Sequence, residues 1–192
     1  MLAVIDLPFT SEVKHSPHHF MKRSILACLL LPLLARSEVK LPSVFSDHLV
    51  LQRDTVAPIW GWAKEGEPIN VEFAGQTKTA KADATGKWLV KLDPLAASAE
   101  PREMKIGERV IKDVLVGEVW LASGQSNMGF PLASAHNADQ ALAAAGDPLL
   151  RFFTVQNGTA AEPQNDLRSK WDLSDPNTAK AFSAVAYFFA RD

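Results

Sequence analysis

The sequence predicts two β-rich parts in series, an N-terminal antiparallel β-sandwich followed by the opening elements of a three-layer α/β domain. Three observations predict this. Between residues 38 and 112 short β-prone runs recur between turn signals. Beyond residue 126 helix-forming and strand-forming runs alternate. Between the two, Gly117-Glu118-Val119-Trp120-Leu121-Ala122-Ser123-Gly124-Gln125-Ser126-Asn127-Met128 reads as a buried strand closed by a tight turn that presents a serine.

The chain opens with a stretch that reads as a leader over residues 1–37. Met21-Lys22-Arg23 is a positive start, residues 25–34 form an apolar core, and Ala35-Arg36-Ser37 places small residues where a signal peptidase inspects. Cleavage leaves Glu38 first, and Met21 is a second candidate start. The apolar run is short for a bilayer span and Pro32 interrupts it, so export with cleavage is expected, without stable membrane insertion afterwards. The expected location is secreted or periplasmic. Cys28, the sole cysteine, lies within that core, so the mature chain has no thiol for a disulfide framework. Too little apolar sequence separates it from Met21 to favour lipid modification.

From residue 38 the β-rich segments are 56–63, 68–73, 77–82, 88–92 and 103–106. Lys64-Glu65-Gly66-Glu67, Ala74-Gly75, Ala84-Thr85-Gly86 and a loop over 94–101 separate them. Ile69-Asn70-Val71-Glu72-Phe73 alternates as a half-buried strand does. This spacing predicts the sandwich, over 38–112. Trp60, Trp62 and Trp88 offer either core packing or a sugar-stacking platform, and core is the preferred reading for a small sandwich.

The α/β part is expected over 113–192. Val114-Leu115-Val116 and Val119-Trp120-Leu121-Ala122 are apolar runs, with Gly117-Glu118 between them as a bulge candidate. Gly124 permits a sharp bend, so Ser126 can stand at the rim of a sheet with its hydroxyl outward. A helix starting just beyond it would favour negative charge on an attacked carbonyl oxygen. Taken alone, Ser-Gly-Gln-Ser-Asn fits a turn or a helix cap better than a catalytic site.

Downstream, residues 138–145 and 182–191 read as helices and 149–155 as a strand. Asn157-Gly158-Thr159 matches a glycosylation acceptor, and Asn-Gly is also a turn signal, the preferred reading. An α/β domain ending after two strands is expected to leave bare apolar faces and to associate.

Several separated segments resemble the sialate O-acetylesterase family, a branch of the SGNH hydrolases. Gly117 to Met128 resembles its nucleophile motif. Leu41-Pro42-Ser43-Val44-Phe45-Ser46-Asp47-His48-Leu49-Val50-Leu51-Gln52-Arg53 resembles its opening segment and Ile59-Trp60-Gly61-Trp62-Ala63 one of its first strands. Phe182-Ser183-Ala184-Val185-Ala186-Tyr187-Phe188-Phe189-Ala190 resembles an early helix of its catalytic domain. Separated matches in order are harder to obtain by chance than one short motif.

The resemblance implies a truncated SGNH-type hydrolase domain after the sandwich and a serine carboxylic ester hydrolase acting on acetylated sugars, sialic acid or other glycans. It makes Ser126 the catalytic nucleophile and its backbone NH an oxyanion donor, within a turn formed by Gly124, Gln125 and Asn127. Gln125 departs from the wider superfamily, where aspartate is usual, and agrees with the sialate branch. The family's glycine and asparagine donors and its Asp-x-His base have no counterpart that can be placed before Asp192.

A serine hydroxyl needs a positioned base. His15, His18 and His19 precede the export signal, His48 reads as a turn or interdomain residue, and His136 as an exposed loop residue. Little or no activity is therefore expected of this chain by itself. The alternative is a non-catalytic glycan-binding or structural β-sandwich module. No Cys/His cluster has metal-ligand spacing, so neither a metal nor another cofactor is expected. The formal charge of -2 gives no electrostatic reason to expect nucleic acid as a partner.

Overall fold

The computed structural model describes residues 38–191, apart from 156, 157, 159 and 168. The expected leader with Cys28, His15, His18 and His19, and Asn157 and Thr159 of the acceptor triplet, lie outside the described residues. The described residues belong to one compact unit, Arg36–Asp192.

Seven strands come first: β1 (Val50–Gln52), β2 (Ala57–Trp62), β3 (Pro68–Phe73), β4 (Gln76–Lys81), β5 (Lys87–Leu92), β6 (Ser98–Ile106) and β7 (Arg109–Gly117). Five form a sheet in the order β1-β7-β6-β3-β4, and β2 pairs separately with β5. The two-residue period decides which side chains go inside. Ile69, Val71 and Phe73 of β3 are buried, as are Ile59 of β2 and Trp88, Val90 and Leu92 of β5. These residues and Met104, Ile106, Ile111 and Val114 share one core. Burying each such aliphatic side chain contributes about 1.5–3 kcal/mol. Ala74 (φ 49°) and Gly75 (φ 79°) join β3 to β4, and two successive positive φ angles are what a tight two-residue hairpin requires.

The pairing departs from the expected antiparallel pattern at one place. β1 runs parallel to β7, with Val50 opposite Leu115 and Gln52 opposite Gly117, so the sheet is mixed. β1 is only three residues long, too short for periodicity to reveal. The expected loop over 94–101 is shorter than anticipated, because β6 begins at Ser98 and carries Pro101 through register shifts around Arg102. The division placed at 112/113 falls inside β7, which pairs with β6 on both sides of that point and with β1 beyond it.

Trp88 enters the core with 3% exposure, whereas Trp60 and Trp62 point to the opposite face of β2. The preferred reading of all three as core therefore holds for Trp88 alone.

The remaining elements are α1 (Ala138–Ala143), β8 (Asp147–Phe153), β9 (Trp171–Ser174) and α2 (Ala184–Arg191). β8 pairs antiparallel with β9, a strand absent from the sequence reading. A second core gathers Leu132, Ala145, Phe152, Ala184 and Tyr187, with the Phe152 and Phe182 rings stacked at 4.1 Å. Among the described residues the one parallel pairing is that of β1 with β7, so they do not display the expected three-layer arrangement. The described molecule is mostly sheet, with few and short helices.

Trp171 Nε1 donates to the Val44 carbonyl at 2.8 Å, and Asp166 accepts from the Ser43 amide at 2.7 Å and its hydroxyl at 2.9 Å. These bonds tie the second part to the segment ahead of β1.

Candidate active site

The chain leaves β7 at Gly117 and is held for two more residues by β1 and its successor. Gln52 accepts from the Val119 amide at 2.7 Å and donates to Glu118 at 3.0 Å, and Arg53 Nε reaches Glu118 at 2.7 Å. Those side-chain hydrogen bonds, first from Gln52 and then from Arg53, hold the Glu118 carboxyl below its ordinary value.

Beyond Val119 no ladder continues. The run read as a buried strand, Val119 to Ala122, belongs to no strand and is exposed, with Trp120 at 66% and Leu121 at 90%. A strand of this apolar character is stable when strands pair along its edges and other elements cover its faces, and among the described residues no strand pairs with it. The Trp120 ring meets Phe189 on α2 edge-on, 5.2 Å between ring centroids.

The corner comes at the end of this run. Met128 N and Gly129 N both donate to the Gln125 carbonyl, at 2.9 and 3.3 Å, and Phe130 N donates to Asn127 O at 3.2 Å. This is a single turn with no helix beginning just beyond the serine, so it supplies no helix dipole. A Cβ built on Gly124 would meet Met128 Cβ at 3.1 Å, so Gly124 and the turn approach closely. Met128 is in turn held by the Ser183 hydroxyl, which donates to its sulfur at 3.4 Å. Ser183 also accepts from Ala186 N at 3.2 Å and thereby caps α2.

Ser126 is exposed on this turn and, together with Gly124 and Gln125, lines a hollow of about 1160 Å³. Asn127 is exposed and is not part of that lining. Other parts of the wall come from Val119, Trp120, Phe182 and Phe189. Among the described residues, no side chain hydrogen bonds the Ser126 hydroxyl. His136 is exposed in the turn before α1. His48 takes φ 70° and pairs instead with Asp113, Nδ1 to Oδ2 at 2.6 Å. Among the described residues, no group of three or more His, Cys, Asp or Glu is placed to hold a metal ion, and no helix is long and apolar enough to cross a membrane.

Arg151 also lines the hollow and went unnoticed in the sequence. It sits in Leu149-Leu150-Arg151-Phe152-Phe153, and a single cation inside an apolar strand was the available signal, because a buried charge demands a partner. That partner is Asp113, with Nη2 at 3.1 and 3.3 Å from its two oxygens.

No family model matches the chain. It is 31% identical over 148 residues to a mouse sialate O-acetylesterase, an alignment that covers 69% of this chain and 27% of that protein. A human sialate O-acetylesterase is 28% identical over 192 residues, covering 85% of this chain and 37% of its own. The crystal structure of a carbohydrate acetylesterase from Xanthomonas citri superposes with a TM-score of 0.76 at 44% identity, covering 80% of this chain and 37% of that one. The chain thus spans between about a quarter and two fifths of these relatives' lengths.

Proposed function

Because this chain belongs to the sialate O-acetylesterase family, we propose that it carries the nucleophile end of an exported carbohydrate O-acetylesterase with Ser126 as the attacking residue. One observation carries the reading: Ser126 stands exposed at a hydrogen-bonded corner on the edge of a hollow large enough for a sugar. In this proposal residues 38–112 form the β-sandwich, whose last strand runs on to Gly117, and residues 113–192 open an SGNH-type α/β domain. Residues 1–37 act as a cleaved leader that directs the protein to the periplasm or outside the cell.

The reaction follows from the chemistry of an activated hydroxyl. Ser126 Oγ bonds to the acetyl carbonyl carbon while a base takes its proton, and amide N–H groups at the corner stabilise the oxyanion. Collapse breaks the carbon–oxygen bond to the sugar, whose oxygen receives that proton. Water then attacks the acetyl-serine and releases acetate. No described residue offers the base, so the 192-residue chain by itself is expected to turn over little or no ester.

A fluorophosphonate probe tests the assignment. In the full-length protein it should label Ser126, and Ser126→Ala should remove the label; a full-length protein that hydrolyses acetyl sugars after Ser126→Ala would disprove it. The second reading, a non-catalytic glycan-binding or structural module, draws support from the lack of a base beside Ser126 among the described residues.

A further inference from the structure

The outer face of the β2–β5 pair carries features that core packing does not use. Strand alternation points Trp60 and Trp62 outward, where their cross-strand partners are Leu89 and Lys87. Trp60 keeps 37% of its surface exposed although Phe45 packs edge-on against it at 4.7 Å. Lys40 Nζ lies 5.7 Å from the Trp62 ring, a cation against the aromatic face. An exposed strand face normally carries polar side chains, and here two of the three outward positions of β2 carry indoles.

Trp60, Trp62, Lys87 and Leu89 border a groove of about 480 Å³, which Asn165 also lines. The Asn165 segment is fastened to the front of the chain by the hydrogen bonds between Ser43 and the adjacent Asp166. Burial raises the Asp166 carboxyl, but the Ser43 and Leu167 hydrogen bonds and the Lys40 charge outweigh it and leave the group below its ordinary value. The groove wall is thus anchored to the same surface that presents the tryptophans.

The polar inventory has a sign. Lys81 and Lys87 contribute two ammonium groups to the lining against the one carboxylate of Asp83. Asp83 Oδ1 is already engaged by the Thr85 amide and hydroxyl and the Lys87 amide, at 2.8, 2.7 and 3.0 Å. Flat apolar ring faces beside hydrogen-bonding and cationic side chains match a pyranose, which has an apolar C–H face and a polar rim.

We propose that the outer face of β2 and β5 is a saccharide-binding groove, separate from the Ser126 hollow, that takes a carboxylate-bearing pyranose against Trp60 and Trp62 with its carboxylate toward Lys81 and Lys87. The proposal does not rest on the role of Ser126. The groove shares no lining residue with the Ser126 hollow. Its use would be to hold an acidic glycan chain on the sandwich.

The test is titration of the full chain with methyl glucuronide and methyl glucoside, followed by tryptophan fluorescence and calorimetry. Saturable binding is expected, tighter for the glucuronide. Trp62→Ala should weaken both sugars by roughly threefold to tenfold, the amount an aromatic contact supplies. Leu89→Glu, at an exposed position that cannot disrupt the core, should weaken the glucuronide selectively. Ser126→Ala should change neither. Absence of saturable binding would overturn the proposal, as would binding indifferent to both groove variants. Equal affinity for the two sugars would overturn the assignment of an acidic ligand. Thermal melting of each variant separates lost binding from lost folding.

Discussion

Arg151 on β8 and Asp113 on β7 join the two parts of the molecule through a guanidinium–carboxylate pair, with Arg151 Nη2 3.1 and 3.3 Å from the carboxylate oxygens. The Arg151 side chain is only 3% exposed, and Asp113 takes φ 55° to meet it while also accepting from His48. Arg151 Nη1 donates to the Pro148 carbonyl, and Nε has no partner among the described residues.

Removing the acid should cost more than removing the base. Asp113→Ala leaves a buried cation uncompensated and is expected to lower stability by about 2–3 kcal/mol, whereas Arg151→Met deletes the charge with its desolvation cost and should lose less. Urea denaturation of the two variants measures the order. A larger loss for Arg151→Met would show that Asp113 left without its guanidinium costs more than Arg151 left without its carboxylate, against this order.

Gly61 is expected to tolerate no side chain. A Cβ there would lie 2.4 Å from the Lys40 carbonyl oxygen and 2.9 Å from Trp88 Cζ2. Gly61→Ala should therefore cost about 1–3 kcal/mol through displacement of backbone or a core indole. Loss of near-ultraviolet tryptophan signal at the same temperature as global unfolding would report it.

The Asp83 turn carries a pH dependence of definite sign. Its carboxyl is held below the ordinary value of 3.8, first by the Thr85 hydroxyl and then by the Thr85 and Lys87 amides. A lowered folded value means that the turn's contribution is complete above 3.8 and is lost as pH falls below it, through the folded value. Amide chemical shifts of Thr85 and Lys87 should titrate together below 3.8, and titration above it would contradict the geometry.

Leu121 is 90% exposed within a bare apolar run beside Trp120. Such a patch drives association. Leu121→Lys should reduce self-association in sedimentation while moving the melting temperature little, since an exposed side chain far from the core contributes less than about 0.5 kcal/mol. Unchanged sedimentation would place the contact elsewhere.

Much of the first part was readable before any coordinates. The expected segment 68–73 coincides with β3, 77–82 is shifted by one residue from β4, and 88–92 starts one residue later than β5. The reason is that each has one face in the core, so apolar residues recur with period two. β1 and β9 escaped because three or four residues carry too little pattern, and their pairing is supplied by partners distant in sequence, such as Leu115 opposite Val50 and Phe153 opposite Trp171. The run from Val119 misled for the same reason in reverse: composition signals burial, but burial depends on what covers it.

Family and the local framework of β-strands were written in the sequence, since motif order and side-chain alternation are properties of neighbouring residues. The exposure of Ser126 on a single turn, the Asp113–Arg151 clamp and the outward tryptophans were decided only by tertiary structure. Each depends on pairings between residues distant along the chain, and whether a side chain is buried, paired or exposed is a property of those partners and not of its own identity.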